Sequence, residues 1–190
     1  MILSSYAVNN YAEVFRAMVD AYKPKIVVEL GCLHGYSSVA LAQGLLKNAA
    51  GEIHIYDLFE DYPYKHGTMG EVEEALKNLP GSVQYKIQKM NAYQVADLYP
   101  DHSVCMLHVD LSNTGETVKK IMDQWDQKMV YGGVILFEGG TEESDQVEWR
   151  VKYGAPSIKK EIETNAIIQA NYVYGTYLKW PGLTMLLKKR

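Results

Sequence analysis

Near the start of the chain, an acidic residue and two glycines lie between an apolar stretch and a stretch with helical spacing. Residues 25–30 predict a buried strand, and Glu29 lies near its end. Gly31 and Gly35 predict a tight turn, and residues 36–48 predict a helix. Open α/β folds bind nucleotides at such junctions, where main-chain amides of a helix N-terminus face the ligand. An acid beside this turn favours a ligand that carries a positive charge.

The turn departs from the dinucleotide fingerprint G-x-G-x-x-G. Leu33 occupies the middle position, which has to be small for the main chain to approach a pyrophosphate. Glu29 would also repel phosphate groups. Both features count against a nicotinamide-dependent oxidoreductase on a Rossmann sheet, which stays an open alternative. They favour S-adenosylmethionine, which carries ammonium and sulfonium groups and no phosphate.

A second acid lies at the distance expected for a residue that binds ribose. Asp57 ends the predicted strand 52–57, 22 positions after the last glycine of the turn. This is close to the offset of ~20 residues found in dinucleotide-binding folds. The alternative interpretation is a helix cap, because aspartate is common in loops that follow strands.

The pattern E-x-G-x-x-x-G at residues 29–35 resembles the first motif of class I S-adenosylmethionine-dependent methyltransferases. Residues 109–138 are similar to the small-molecule O-methyltransferase-like branch, whose pattern D-x-x-H-x-Y-E-x-V-x-x-D precedes a tryptophan and P-G-G. The residues that fit this second pattern are Asp110, Glu116, Val118, Trp125 and Gly132-Gly133. The resemblance implies an α/β fold with a Rossmann-like, doubly wound, mostly parallel seven-stranded sheet and an antiparallel C-terminal hairpin strand. It also implies transfer of a methyl group from S-adenosylmethionine to a small-molecule acceptor, at oxygen.

The chain departs from the pattern of that branch at several positions. Asn113 stands where the branch has histidine, and Glu138-Gly139 replaces the acidic pair that helps to bind a divalent metal. The other departures are Gly115 for tyrosine, Ile121 for aspartate and Tyr131 for proline. These changes leave a non-catalytic S-adenosylmethionine-binding protein as a further alternative.

The resemblance implies a set of cofactor-binding residues near the ends of the strands. Glu29 would hold the methionyl ammonium group, and Asp57 the ribose hydroxyls. Asn91 follows the third strand, where the adenine-contacting loop of this fold lies, but it equally fits the cap of a helix that contains Val95 and Leu98. The full set is Glu29, Gly31, Gly35, Ser37, Asp57, Leu58, Asn91, Ala92 and Asp110.

Three residues are candidates for the chemistry. Asp110 ends the predicted fourth strand, where it would orient the acceptor, remove its proton or bind a metal. Glu138 ends the fifth strand, and the two carboxylates together offer oxygen ligands to Mg²⁺, although two protein ligands are a weak signal. His34, inside the glycine turn, is the other candidate base.

The remaining pattern predicts one domain, 1–190, with residues 1–24 as an N-terminal helical extension. A helix over 9–22 would either cover the site or form a contact in a homodimer. Residues 58–69 predict an irregular connection. Further helices are predicted over 71–79, 114–130 and 144–153, further strands over 83–88, 103–109 and 134–137, and a hairpin over 166–177 and 183–188.

The composition of the chain limits the classes of partner that we expect it to bind. The chain has 190 residues, 47% of them hydrophobic and 22% charged, as in ordinary globular proteins. Its net charge of -4 argues against a nucleic-acid surface. No apolar run approaches the length of a membrane span, and the first residues lack the pattern of a signal peptide. Cys32 and Cys105 are expected to be buried thiols, and a cytoplasmic protein follows as the expectation.

Overall fold

The computed structural model describes residues 4–47, 51–81 and 83–190. The strands are β1 (Ile26–Leu30), β2 (Glu52–Asp57), β3 (Gln84–Lys89), β4 (Val104–Val109), β5 (Met129–Glu138), β6 (Tyr172–Tyr177) and β7 (Leu183–Lys188). The helices are α1 (Tyr11–Tyr22), α2 (Tyr36–Leu45), α3 (Met69–Lys77), α4 (Gly115–Trp125), α5 (Glu142–Asp145), α6 (Glu148–Lys152), α7 (Ile158–Thr164) and α8 (Ala166–Asn171). None of the helices in these ranges has the length and apolar character needed to cross a membrane.

The strands form one seven-stranded sheet in the order β3-β2-β1-β4-β5-β7-β6. The pairs β1–β2, β2–β3 and β4–β5 are parallel, and β7 is antiparallel to both β5 and β6. This confirms the predicted mostly parallel α/β sheet with its C-terminal hairpin. The chain folds as two compact units, Met1–Val95 and Ala96–Arg190. The single domain expected from the sequence stays a prediction.

The first unit is organised by the packing of α1 on α2. Gly44 in α2 makes the close approach possible, since a Cβ there would lie 2.6 Å from the Cβ of Val19. The aromatic face of α1 is buried, and the ring of Phe15 lies edge-on to that of Tyr6 at 5.0 Å between centroids. The predicted helix 9–22 is confirmed, except that Asn10, at φ 52°, separates α1 from a short 3-10 turn. This packing fixes α2 against the sheet and hence the direction of its N-terminus.

In the second unit the predicted amphipathic helix is confirmed, but it is shorter than expected. Its apolar residues Val118, Ile121, Met122 and Trp125 are fully buried. The helix ends at Trp125 rather than at residue 130 because the chain already pairs as β5 from Met129. The expected turn at residues 131–133 is an irregularity inside β5, where the register with β4 shifts and Gly132 takes φ 76°.

Three further predictions were wrong in detail. The helix expected around Val95 and Leu98 is replaced by two 3-10 turns, Ala92–Gln94 and Ala96–Leu98. The helix over 144–153 is divided into α5 and α6. The strand expected to begin at residue 166 begins at Tyr172, because Asn165 caps α8 with hydrogen bonds from the amides of residues 167 and 168. Helix α7, which starts at its own serine cap, was not predicted.

Candidate functional site

The glycine turn after β1 has the backbone that its sequence predicts. Gly31 and Gly35 take φ values of 79° and 80°, which glycine adopts without the steric penalty of a side chain. Leu33, between them, also lies in the left-handed region, at φ 49°. The amide of Gly31 donates to the carbonyl of Tyr56 at 2.8 Å, and that of Gly35 to the carbonyl of Cys32 at 2.7 Å. The turn is therefore tight and fastened to the end of β2.

The carboxylate of Asp57 holds this turn in place. Its Oδ2 accepts from the amides of Cys32 at 2.7 Å and Leu33 at 3.2 Å, and its Oδ1 accepts from the amide of Phe59 at 2.8 Å. A carboxylate has about four lone-pair positions, so these bonds leave about one for a ligand. The observed role is the capping of a turn rather than of a helix. Ribose binding by Asp57 stays a prediction that rests on the remaining acceptor position.

Glu29 is a fully buried acid beside the turn. Burial of a carboxylate is unfavourable unless it is paired or hydrogen-bonded. Ser38, in the first turn of α2, donates its hydroxyl proton to Oε2 of Glu29. Sequence reasoning expected the partner to be a ligand ammonium group and missed Ser38, although a serine one turn into the following helix was the available signal. The structure thus contains a buried carboxyl group that is oriented by α2, the helix at which a ligand is expected.

The N-terminus of α2 offers main-chain donors. Gly35 occupies the N-cap position, and no side chain of the described residues caps this end of the helix. The first amides of a helix lack partners within the helix, and anionic groups bind to such ends. Ser37, in the first turn, is buried with 2% of its surface exposed. The turn, the acid and the helix end are the elements that a ligand with both an ammonium and a carboxylate group requires.

The connection between β2 and α3 lies directly against the glycine turn. A Cβ on Gly67 would overlap the main-chain oxygen of Leu33 and would lie 3.0 Å from Nδ1 of His34. The predicted irregular segment 58–69 is confirmed apart from a 3-10 turn at Phe59–Asp61. The close contact of this segment with the glycine turn explains why residue 67 is a glycine.

His34 faces α3. Its Nδ1 lies 3.5 Å from Oε2 of Glu71, which forms a capping box with Thr68. Hydrogen bonds from the amide and hydroxyl of Thr68 lower the pKa of the Glu71 carboxyl, with His34 contributing less. The role of His34 as a base stays a prediction. Its observed partner, Glu71, belongs to the cap of α3.

The segment after β3 lies beside the end of β2. The amide of Met90 donates to the carbonyl of Asp57 at 2.9 Å, and Oδ1 of Asn91 accepts from the amide of Tyr93 at 3.0 Å. Asn91 therefore caps the 3-10 turn that begins at Ala92, which is buried. The cap interpretation is confirmed in this modified form, and adenine contact by Asn91, Ala92 and Leu58 stays a prediction.

In the second unit, Asp110 follows β4 and Glu138 ends β5, the neighbouring parallel strand. Val109 and Phe137 are partners in the register of β4 and β5, so the next residue of each strand lies at the same edge of the sheet. Asn113 fastens this edge, because its Nδ2 donates to the carbonyls of Val109 and Glu138, both at 3.1 Å. The residue that replaces the histidine of the related branch is fully buried and holds the strand ends together.

Arg150 is the residue of this region that sequence reasoning missed. Only 7% of its surface is exposed; its Nη1 donates to the carbonyl of Ser144, and its Nε has no hydrogen-bond partner among the described residues. Burial lowers the pKa of the guanidinium, and the carboxylates of Glu138, Asp145 and Asp110 act in the opposite direction. It lines a pocket of about 120 Å³ together with Glu138, Ser144, Val147, Trp149, Trp180 and Pro181. The only signal in the sequence was its position between Trp149 and Val151, two apolar neighbours.

A divalent metal does not fit the residues present. Within residues 4–47, 51–81 and 83–190, no three His, Cys, Asp or Glu side chains are grouped so that they could hold a metal ion. Gly139 stands at the second position of the acidic pair, and a Cβ there would lie 3.8 Å from Nη1 of Arg150. A fixed guanidinium near both carboxylates opposes the binding of a second cation. The Mg²⁺ site considered for Asp110 and Glu138 is therefore not supported.

The sequence model of a family described as a methyltransferase domain matches residues 28–138. The chain belongs to this family, and the resemblance inferred from residues 29–35 is confirmed. No curated protein matches the chain.

Solved structures with the same fold include several methyltransferases. The O-methyltransferase TomG from Streptomyces achromogenes, in complex with SAM, is 12% identical, with a TM-score of 0.71 over 100% of this chain and 82% of that chain. The O-methyltransferase from Bacillus cereus, in complex with SAH, is 15% identical, with a TM-score of 0.70 over 99% and 83%. The SAH-bound methyltransferase PaMTH1 from Podospora anserina is 18% identical, with a TM-score of 0.69 over 94% and 78%. These likenesses confirm the class I methyltransferase fold.

Proposed function

We propose that this protein transfers a methyl group from S-adenosylmethionine to an oxygen atom of a small-molecule acceptor. The observation that carries the proposal is the buried carboxylate of Glu29 beside the left-handed glycine turn and the α2 N-terminus. This arrangement suits a ligand that is cationic at one end and carries a carboxylate, and it does not suit a pyrophosphate. The neighbouring structures with bound SAM or SAH support the same ligand.

Each element of the first unit has a proposed role in binding. Glu29, oriented by Ser38, pairs with the methionyl ammonium group, while the first amides of α2 receive the carboxylate. The free acceptor position of Asp57 binds a ribose hydroxyl. The adenine ring is contacted by Leu58 and by the segment that begins at Asn91.

The bound ligand supplies a methyl group on a positively charged sulfur. The acceptor oxygen forms a bond to this carbon as the carbon–sulfur bond breaks, which leaves S-adenosylhomocysteine as a neutral thioether and releases the hydroxyl proton. The protein contributes mainly by alignment of the acceptor. We propose that Asp110 and Glu138 orient the acceptor and receive its proton directly or through water.

The proposal includes the partners and the location that the sequence predicts. A net charge of -4 favours a small-molecule acceptor over a nucleic acid. A cytoplasmic location and a homodimer remain predictions.

Calorimetric titration with S-adenosylmethionine, with NAD⁺ in a parallel run, tests the ligand. We expect S-adenosylmethionine to bind and NAD⁺ to give no heat. Glu29→Gln should weaken binding by ~10-fold or more, since the ammonium group loses its partner charge. Glu163→Gln, at an exposed position of α7, is the matched control and should bind as the parent does. Preferential binding of NAD⁺ would overturn the proposal in favour of the oxidoreductase.

Turnover is tested separately by the release of S-adenosylhomocysteine, measured by mass spectrometry with a panel of hydroxyl-bearing acceptors. We expect product to form with at least one member of the panel. S-adenosylmethionine binding without product on any acceptor would favour the alternative of a non-catalytic binding protein.

A further inference from the structure

The two edge strands of the sheet, β3 and β6, differ in composition. β3 carries Lys86 and Lys89, and charged side chains on an edge oppose its pairing with a strand of another chain. β6 (Tyr172–Tyr177) and Leu178 directly after it contain no charged residue and no proline. We call residues 172–178 the β6 edge. Its composition gives no protection against pairing with another strand.

Apolar side chains of the β6 edge are exposed on both of its faces. Val173 and Tyr177 lie on one face, with 59% and 42% of their surfaces exposed. Tyr174 lies on the other face with 39% exposed, and Leu178, after the strand, is 72% exposed. Contiguous apolar surface of this kind marks interaction sites in soluble proteins. The apolar face of α1, by contrast, is buried within the first unit and is not available for such a contact.

The pairing of β6 with β7 determines which main-chain groups point to the free edge. The amide of Lys189 donates to the carbonyl of Asn171 at 2.8 Å, so in the register of this pair the odd-numbered residues of β6 bond to β7. Thr176 and Thr184 then form a pair without main-chain hydrogen bonds, in which side chains lie closer, and their hydroxyl oxygens are 3.0 Å apart. The N–H and C=O groups of residues 172, 174 and 176 therefore point away from β7, to the free edge.

This direction limits how the edge can pair with a second copy of itself. Two antiparallel β6 strands related by a two-fold axis can bond through their even-numbered residues only if the axis passes residue 174, 175 or 176. Of these three registers, only the one with its axis at residue 175 places Val173 opposite Tyr177 of the second copy. The symmetry repeats this pair, and aromatic and β-branched residues stabilise strands when they lie opposite each other.

Gly175, at the centre of that register, has no evident role within its own chain. Its backbone lies outside the left-handed region, and no atom lies within 4 Å of an added Cβ. Glycine weakens a strand, and it often marks a point where another backbone approaches closely. A residue on a two-fold axis faces its own copy, so a glycine there avoids contact between two identical side chains. The position thus fits the same register as Val173 and Tyr177.

We propose that two copies of this protein associate through their β6 edges, as antiparallel strands with the two-fold axis at Gly175. The occupant is a second copy because the edge matches itself: the exposed residues meet in favourable pairs and no like charges face each other. The pairing also covers the free edge of both copies at once, so the assembly closes at two. This inference goes beyond the proposed function and does not depend on it.

Sedimentation velocity over a range of protein concentrations measures the association. A contact between two strands of this length buries on the order of 1,000 Å² in total, near the lower limit of specific interfaces. We therefore expect a reversible equilibrium between monomer and dimer with a Kd of about 1–100 µM. A parent protein that stays monomeric at about 500 µM would overturn the proposal and leave the edge to a strand of another protein.

Single charged substitutions locate the interface. Val173→Lys and Tyr177→Glu should each raise the Kd by ~10-fold or more, because each removes two cross-strand pairs and places a charge in the contact. Val151→Lys, at a position of α6 that is 58% exposed, is the matched control and should leave the Kd unchanged. All three positions are exposed, and thermal unfolding checks that each variant is folded. A Kd unchanged in both β6 variants would place the contact elsewhere and overturn the proposal.

A charge pair tests the register. In the proposed dimer, Val173→Lys of one copy lies opposite Tyr177→Glu of the other, whereas within one strand the two positions are ~13 Å apart. A mixture of the two single variants should therefore dimerise within about threefold of the parent at low salt, and 1 M NaCl should weaken this dimer because it screens the ion pair. A mixture that associates no better than either variant alone would overturn the register and with it the proposed axis at Gly175.

Discussion

The side-chain amide of Asn113 donates to the main-chain oxygen of Glu138 at 3.1 Å, and to that of Val109 at the same distance. One buried side chain thus joins the carboxyl ends of β4 and β5. At this position the related O-methyltransferase branch has a histidine. In this protein the position holds the main chain at the two strand ends, and an amide nitrogen cannot act as a base.

Asn113→Ala should reduce the free energy of unfolding by about 1–3 kcal/mol, because two buried carbonyl groups lose their donor. Urea denaturation measures the change. Asn78→Ala, at the exposed end of α3, should stay within about 0.5 kcal/mol of the parent. Asn113→His should also destabilise the protein and should not raise the rate of methyl transfer. A stable Asn113→His variant with higher activity would contradict the structural role of the position.

Gly67→Ala should weaken S-adenosylmethionine binding by ~10-fold or more, since the added methyl group overlaps the oxygen of Leu33 and displaces the glycine turn. Calorimetry provides the measurement. Gly70→Ala is the matched control: nothing lies within 4 Å of its Cβ, and alanine in α3 should increase stability by up to ~1 kcal/mol. Equal affinity in the two variants would show that the connection between β2 and α3 does not set the shape of the glycine turn.

Asp57→Asn should lower both the stability and the affinity for S-adenosylmethionine. Asparagine keeps one acceptor oxygen but loses the other, so the amides of Cys32 and Leu33 or that of Phe59 lose their partner, at about 1–3 kcal/mol of unfolding free energy. Asp61→Asn, at an exposed acid that pairs with Lys89 at 3.1 Å, should change the stability by less than ~1 kcal/mol. A stable Asp57→Asn variant that binds no ligand would assign this carboxylate to the ligand alone.

Glu71 should contribute stability that depends on pH. Hydrogen bonds from Thr68 place its pKa in the folded protein below the ordinary value of 4.5. A carboxyl with a lowered folded pKa stabilises the native state above the unfolded pKa, and this contribution is lost as the pH falls through the folded value. Glu71→Gln should therefore weaken the decrease in urea stability between about pH 5 and pH 3. Glu74→Gln on the same helix, which has no role in the capping box, should keep the decrease of the parent.

The strand, turn and helix that carry the first motif were predictable from the sequence. The apolar run and the two glycines are local signals, and β1 and α2 begin within one residue of the expected positions. The mostly parallel seven-stranded sheet with its C-terminal hairpin followed from the family resemblance, whereas the order of its strands was not predicted.

Other features depend on residues that are distant in sequence. Arg150 lies in the predicted helix 144–153, and its pocket is completed by Glu138 and Trp180, which are distant from it in sequence. Similarly, Gly132-Gly133 predicted a turn, whereas the register shift against β4 places both residues inside β5. The cap at Asn165 was a local signal, but the β-branched and aromatic residues that follow it masked the helix.

Gly139, at φ 96°, also bears on how this site can change in evolution. A Cβ there would lie 2.8 Å from Cδ1 of Ile158, 3.4 Å from Oγ of Ser144 and 3.8 Å from Nη1 of Arg150. A single substitution that restored the acidic pair would meet an unfavourable backbone and a steric overlap, and the new carboxylate would be attracted to Arg150 in competition with a metal ion. Ancestors or descendants with a metal-dependent site are thus separated from this chain by linked changes at 139, 150 and 158. Among its homologues, these three positions should vary together.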